Sequence, residues 1–217
     1  MRIGYRATAV LATAGVLLGM TAASAGAAGN STAPGQNKIQ CFQGSNTPVV
    51  DPQSGTCTLL SNGAKGKAQL ALNSSDPDGD YAGVFTNDSN LYGQPLGQVT
   101  QASYQYSGPF APQPGNLSYN IPIDTDGNGT FNAYAFVDAF YCPGTNGNVD
   151  IVNDPNCGFY LGGVVFFPNW AALVAAFPAG RVATDAFVFV VAERTPSEPS
   201  AVWTVGNVKF GKPGNGK

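Results

Sequence analysis

Residues 99–106 read VTQASYQY and residues 117–123 read LSYNIPI. Both alternate. Ala102, Tyr104 and Tyr106 fall on one side of the first stretch, with Gln101, Ser103 and Gln105 on the other. Leu117, Tyr119, Ile121 and Ile123 fall on one side of the second, with Ser118, Asn120 and Pro122 opposite. Successive side chains of a strand point to opposite faces, so a period of two marks β-structure. Pro122 cannot donate to a ladder, which predicts an edge position for its strand.

The same reading extends in both directions. Residues 67–72, KAQLAL, place Ala68, Leu70 and Leu72 on one face, and Tyr81 to Thr86 are rich in strand formers. Residues 131–141, FNAYAFVDAFY, are apolar on both faces and predict a strand buried on both sides. Residues 158–167, 185–192 and 201–210 complete the set. Turn signals recur about every ten residues, the pattern of a sandwich or jelly roll. One segment departs from it. Asn169 can cap a helix over Trp170 to Phe177, which Pro178 would stop. The expectation is an all-β, jelly-roll type antiparallel β-sandwich with one short helix at about 169–177.

The first 28 residues read as a secretory signal peptide: Arg2 and Arg6, an apolar run over 7–20, then small residues with Ala23-Ser24-Ala25 as the best cleavage site. Residues 29–38 form a polar leader, 39–210 a single domain, and 211–217 a Gly/Pro/Lys-rich tail expected to be disordered. The predicted localisation is extracellular, with no membrane insertion. Removing the signal leaves 8 basic against 13 acidic residues and no basic stripe, which argues against nucleic acid as a partner. Cys41, Cys57, Cys142 and Cys157 are an even set in an exported chain. Short spacings favour Cys41 with Cys57 and Cys142 with Cys157.

The chain contains no histidine. That excludes Ser-His-Asp and Cys-His mechanisms and removes the commonest catalytic zinc ligand. Chemistry must come from carboxylates, a cation or tyrosine hydroxyls. Two acidic loops match D-x-D-G-[DN]: Asp76, Asp78 and Asp80, then Asp124, Asp126 and Asn128, with a carbonyl from Thr130. Oxygens at alternate positions around a glycine suit calcium, the expected cofactor. Ala135 stands where an EF-hand needs glutamate, so the second loop is not an EF-hand. The same residues also spell hairpin turns.

Tyr104, Tyr106, Tyr119, Tyr134, Tyr141, Tyr160, Trp170 and Trp203 are candidates for stacking on sugar rings. Tyr104 and Tyr106, about 7 Å apart on one strand face, lead with Trp203. Asp138 and Asp185, set in apolar strand patterns, are the carboxylates to consider for catalysis, since they should feel desolvation. Glu193, Arg194 and Glu198 read as a salt-bridge region in a loop. The E-x-D-x-x-E cluster of β-sandwich glucanases is absent.

The ending AVWTVGNVKF (201–210) is similar to the last strand of galactose-binding-like and other carbohydrate-binding jelly rolls, and the Asp124 loop resembles calcium loops of extracellular β-proteins. The resemblance implies a jelly-roll fold, a structural calcium and a glycan or cell-surface polysaccharide as partner. The leading functional expectation is a secreted, non-catalytic carbohydrate-binding module. The alternatives are a carboxylate-dependent glycan hydrolase or lyase, and a structural or interaction protein of the cell surface or extracellular matrix.

Overall fold

The computed structural model describes residues 39–45, 55–60, 66–73, 79–86, 91–142, 147–195 and 198–211. The expected signal peptide, the leader, residues 212–217 and the pair Asp76 and Asp78 lie outside these segments.

Two antiparallel sheets face each other. The strands run β1 (Gln40–Ser45), β2 (Thr56–Leu59), β3 (Ala68–Leu72), β4 (Asp80–Thr86), β5 (Gln101–Ser107), β6 (Leu117–Asp124), β7 (Ala133–Asp138), β8 (Asn148–Asp150), β9 (Phe159–Leu161), β10 (Val165–Phe167), β11 (Arg181–Val182), β12 (Val188–Arg194) and β13 (Ala201–Gly211). The larger, eight-stranded sheet has the order β1-β4-β12-β6-β7-β9-β10, with β11 beside the end of β6. The smaller has the order β2-β3-β13-β5-β8. Early strands lie beside late ones, as in a jelly roll.

The core fills the space between the sheets. Leu70, Val84, Tyr104, Tyr119, Ile121, Val137, Val190 and Trp203 are buried there, and Tyr104 stacks on Tyr119 at 5.7 Å. These are the predicted apolar faces. One helix, α1 (Trp170–Ala176), sits where expected: the Asn169 side chain accepts from the backbone N–H of Ala172, and Trp170 and Leu173 are buried. The disulfides pair as expected, Cys41 with Cys57 and Cys142 with Cys157. The first joins the edge strands of the two sheets, β1 and β2.

Two expectations need correction. The strand containing Pro122 is central, between β12 and β7. It tolerates proline because its ladder changes partner there. Pairing to β12 ends at Asn120, and pairing to β11 begins at Ile123. The Pro122 carbonyl accepts from Ala183 N–H on that flank. A strand residue's N–H and C=O point to the same side, so the missing donor faces this gap. Residues 158–167 are not one strand but a hairpin. Gly162 and Gly163, both with positive φ, turn β9 into β10.

Buried at the sandwich edge, Arg194 pairs its Nε with Asp80 at 2.8 Å and donates from Nη1 to the Thr195 and Glu198 carbonyls. The other Asp80 oxygen accepts from the Asn73 N–H. Asp80 therefore anchors an ion pair rather than contributing to a cation loop, and the partner of Arg194 is Asp80 rather than Glu193 or Glu198.

Candidate functional site

The outer face of the larger sheet carries the residues with chemistry to offer. Directly paired residues share a face, so the register defines transverse rows. One row crosses all seven strands of the main path: Gln40, Phe85, Phe189, Asn120, Phe136, Tyr160 and Phe166. At about 4.8 Å per strand it is about 29 Å long. The next row runs Phe42, Gly83, Val191, Ser118 and Asp138. The row beyond it holds Gly44, Tyr81 and Glu193.

Aromatic rings gather at both ends of this face. On one side Phe42 contacts Tyr81, Phe85 and Phe189 with centroids 5.7–6.3 Å apart, and Phe189 meets Tyr134 at 5.1 Å. On the other, Tyr160 contacts Phe166 at 5.2 Å and Tyr141 at 5.8 Å. The glycines of β1 and β4 allow the first group to lie against the sheet. A Cβ on Gly83 would collide with the Phe42 ring, and one on Gly44 with the Tyr81 ring. Phe85, Phe136, Phe189 and Tyr160 are half-buried, and Phe166 is 49% exposed. Among the described residues no second sheet covers these rings.

Between the two aromatic groups run the polar side chains of β6 and β7. Asn120 is fully buried; its Nδ2 donates to Ser118 Oγ at 3.0 Å, while its Oδ1 has no hydrogen-bond partner. The Asp138 carboxylate accepts from Phe140 N–H at 2.9 Å and from Gly115 N–H. Burial pushes its carboxyl up, against the pull of those two amides. Glu193 lies one row away on the same face. Desolvation first, and the charge of Asp138 second, push its carboxyl up to about 7. Yet the residue is solvent-exposed and makes no side-chain hydrogen bond to a described residue. The Tyr81 hydroxyl is raised by burial and by Glu193.

The sequence-predicted residues are distributed differently. Tyr104 and Trp203 are wholly buried between the sheets and Tyr106 packs against that core, which corrects their reading as a sugar platform. Alternation showed that Tyr104 and Tyr106 share a face, but that face points inward. Asp185 accepts from Phe131 N–H at 3.0 Å, just before β7 begins, whereas Asp138 ends β7. The two are at opposite ends of the strand and do not face each other. Glu193, assigned to a loop, is in β12. Asp150 and Asp154 accept from Asn153 and Asn156 amides and serve turns.

In the second acidic loop, Asp124 accepts from Gly127 N–H and Gly129 N–H, both at 2.8 Å. Asp126 accepts from Asn128 N–H, and Asn128 Oδ1 from Thr130 N–H. Burial pushes the Asp124 carboxyl up, but the Gly129, Gly127 and Asn128 amides together with Asp126 outweigh it and hold the group below its ordinary value. The loop is thus built by its own amides. Its oxygens retain free lone pairs, but among the described residues no three carboxylate, cysteine or histidine side chains converge on one point.

No family model, curated protein or solved structure matches this chain.

Proposed function

We propose that this is a secreted glycan-binding protein whose binding face is the outer face of the larger sheet. The observation that carries the reading is the transverse row of Phe85, Phe189, Phe136, Tyr160 and Phe166, with Asn120 among them. Sugar rings present apolar faces to aromatic rings and hydroxyls to amides and carboxylates. An uncovered aromatic face of this length is unusual for a protein without a partner. The two disulfides fit an oxidising compartment, and no helix among the described residues is long and apolar enough to cross a membrane.

The test is retention on a panel of insoluble polysaccharides, with Tyr160→Ala and Phe166→Ala as variants. Retention that weakens about tenfold in either variant, with the fold intact, supports the reading; one decade corresponds to about 1.4 kcal/mol. Wild-type protein that passes through every polysaccharide overturns it. That outcome favours an interaction protein, a reading supported by the exposed hairpin residues Val164, Val165 and Phe166.

For the loop at 124–130 the proposal is a calcium ion held by Asp124, Asp126, Asn128 and the Thr130 carbonyl. The bond from Gly129 N–H to Asp124, from the sixth position of the loop to the first, suits that role. The ion would supply stability, not chemistry.

A further inference from the structure

Resting on the glycan reading, we propose that the outer face also hydrolyses its glycan, with Glu193 as general acid and Asp138 as the carboxylate that deprotonates the attacking water. Three observations converge. Glu193 and Asp138 share one face of the sheet, one row apart. Glu193 is open to solvent and its side chain makes no hydrogen bond to a described residue, which leaves its carboxyl available to a substrate oxygen. Independently of both carboxylates, the fully buried Asn120 has an unpartnered Oδ1 on the same face, linked through Nδ2 to Ser118, the direct neighbour of Asp138.

The spacing specifies the reaction type. Two strand intervals and two residue rises separate the Cα atoms by about 12 Å. Side chains leaving the same face from Cα atoms that far apart suit the separation of about 6.5–9.5 Å between carboxyl groups that inverting hydrolysis uses, which admits a water, better than the about 5–5.5 Å that direct attack by a carboxylate needs. In the proposed step the glycosidic C–O bond breaks, and the leaving oxygen takes the Glu193 proton. Water adds its oxygen to the anomeric carbon from the opposite face and gives its proton to Asp138. Water is the only co-reactant, and both carboxyls are reset by proton exchange with solvent.

The protonation states suit these roles. Asp138 faces Glu193 from β7 and Tyr81 faces it from β4, and no cationic side chain occupies their rows. The desolvation and Asp138 charge that push Glu193 up keep a large fraction of it protonated at neutral pH. The two backbone amides on Asp138 favour its anion and oppose the burial that raises its carboxyl.

The experiment uses the exported protein on a polysaccharide that it retains, reading released reducing ends and anomeric configuration by NMR. The wild type should release ends of inverted configuration. E193Q should lose at least ~100-fold in release, as removal of a general acid does, while retention stays within about tenfold. D138N should lose release as well, with a thermal melt to show that its turn still folds. Retention without release overturns the hydrolysis and leaves the binding reading standing. Neither retention nor release overturns both. Release that survives E193Q, or products of retained configuration, overturns the roles given to Glu193 and Asp138.

Discussion

The space between the sheets and the outer face of the larger sheet are built from the same residue types and used in opposite ways. Inside, Tyr104, Tyr119 and Trp203 are fully buried, and the hydroxyl of Tyr119 is satisfied by the Lys209 carbonyl. Outside, Phe85, Phe136, Phe189 and Tyr160 are only partly covered. The inner rings hold the sheets together. The outer rings also pack on one another, but part of each remains exposed and available to something else. The difference shows that an aromatic residue's role here is set by its side of the strand rather than by its type.

The sharpest way to break this comparison is to remove a core group and a surface group and measure both stability and binding. Arg194→Met leaves Asp80 buried without its partner and should cost about 3–5 kcal/mol. Trp203→Ala should cost about as much, because no neighbour can refill so large a volume. Tyr160→Ala, on the outer face, should cost under about 1 kcal/mol yet weaken glycan retention. Denaturant melts of the three variants check this. Equal losses in Trp203→Ala and Tyr160→Ala would erase the distinction between the faces.

Much of this arrangement was legible in the sequence, with one systematic blind spot. Period-two patterns place Leu70, Tyr104 and Ile121 on shared strand faces, and Asn169 marks the helix. The sandwich and both disulfides follow from such local signals. Alternation, however, defines two faces without saying which one meets the other sheet. In β5 the polar side is outermost and the rule works. In β7 and β12 both sides carry apolar or aromatic residues, and for residues 131–141 alternation predicts a strand buried on both sides. Phe136 reads as core for that reason. A strand apolar on both sides in an antiparallel sandwich, where only one face needs covering, was itself the missed signal. Glu193 was missed because its neighbour Arg194 suggested an ion pair. Only the long-range contact to Asp80, 114 residues away, frees Glu193 from that role.

The disulfides offer a gentler perturbation of the scaffold. Each closes a loop of about 15 residues, so Cys142→Ser with Cys157→Ser should lose about 3 kcal/mol in the chain-entropy picture. Because this bridge lies beside the Tyr141 and Tyr160 group, binding should weaken more than in the Cys41→Ser with Cys57→Ser variant. Parallel melts and pull-downs compare the two. Equal binding in both would detach the Tyr141 group from the binding face.

Calcium tests the loop at 124–130 without touching either face. A site specific to the native state adds about 2.7 kcal/mol at a hundred times its dissociation constant. Chelation should lower the melting temperature of the wild type and leave Asp126→Ala unchanged. A wild type indifferent to chelator assigns Asp124, Asp126 and Asn128 to the turn alone, the role their amide bonds already fulfil.

The smallest effect expected is the pH dependence of stability, and it separates the outer face from the loop by sign. Glu193 and Asp138 are raised in the folded protein, so the native state holds protons that the unfolded chain releases. Their contribution to stability is complete below the unfolded value, 4.5 for a glutamate, and for Glu193 is lost as pH rises through about 7. Asp124 is lowered, so its contribution is present above its unfolded value of 3.8 and is lost as pH falls through the folded one. Melting temperature should therefore fall on both sides of a maximum, with different residues responsible for each limb. Solvent screening at the exposed Glu193 keeps the alkaline limb shallow. E193Q should flatten that limb and leave the acid limb alone, whereas D124N should do the reverse. An alkaline limb unchanged in E193Q would mean that Glu193 titrates as an ordinary surface carboxylate, and the outer face around it would lose the electrostatic character that sets it apart from the rest of the surface.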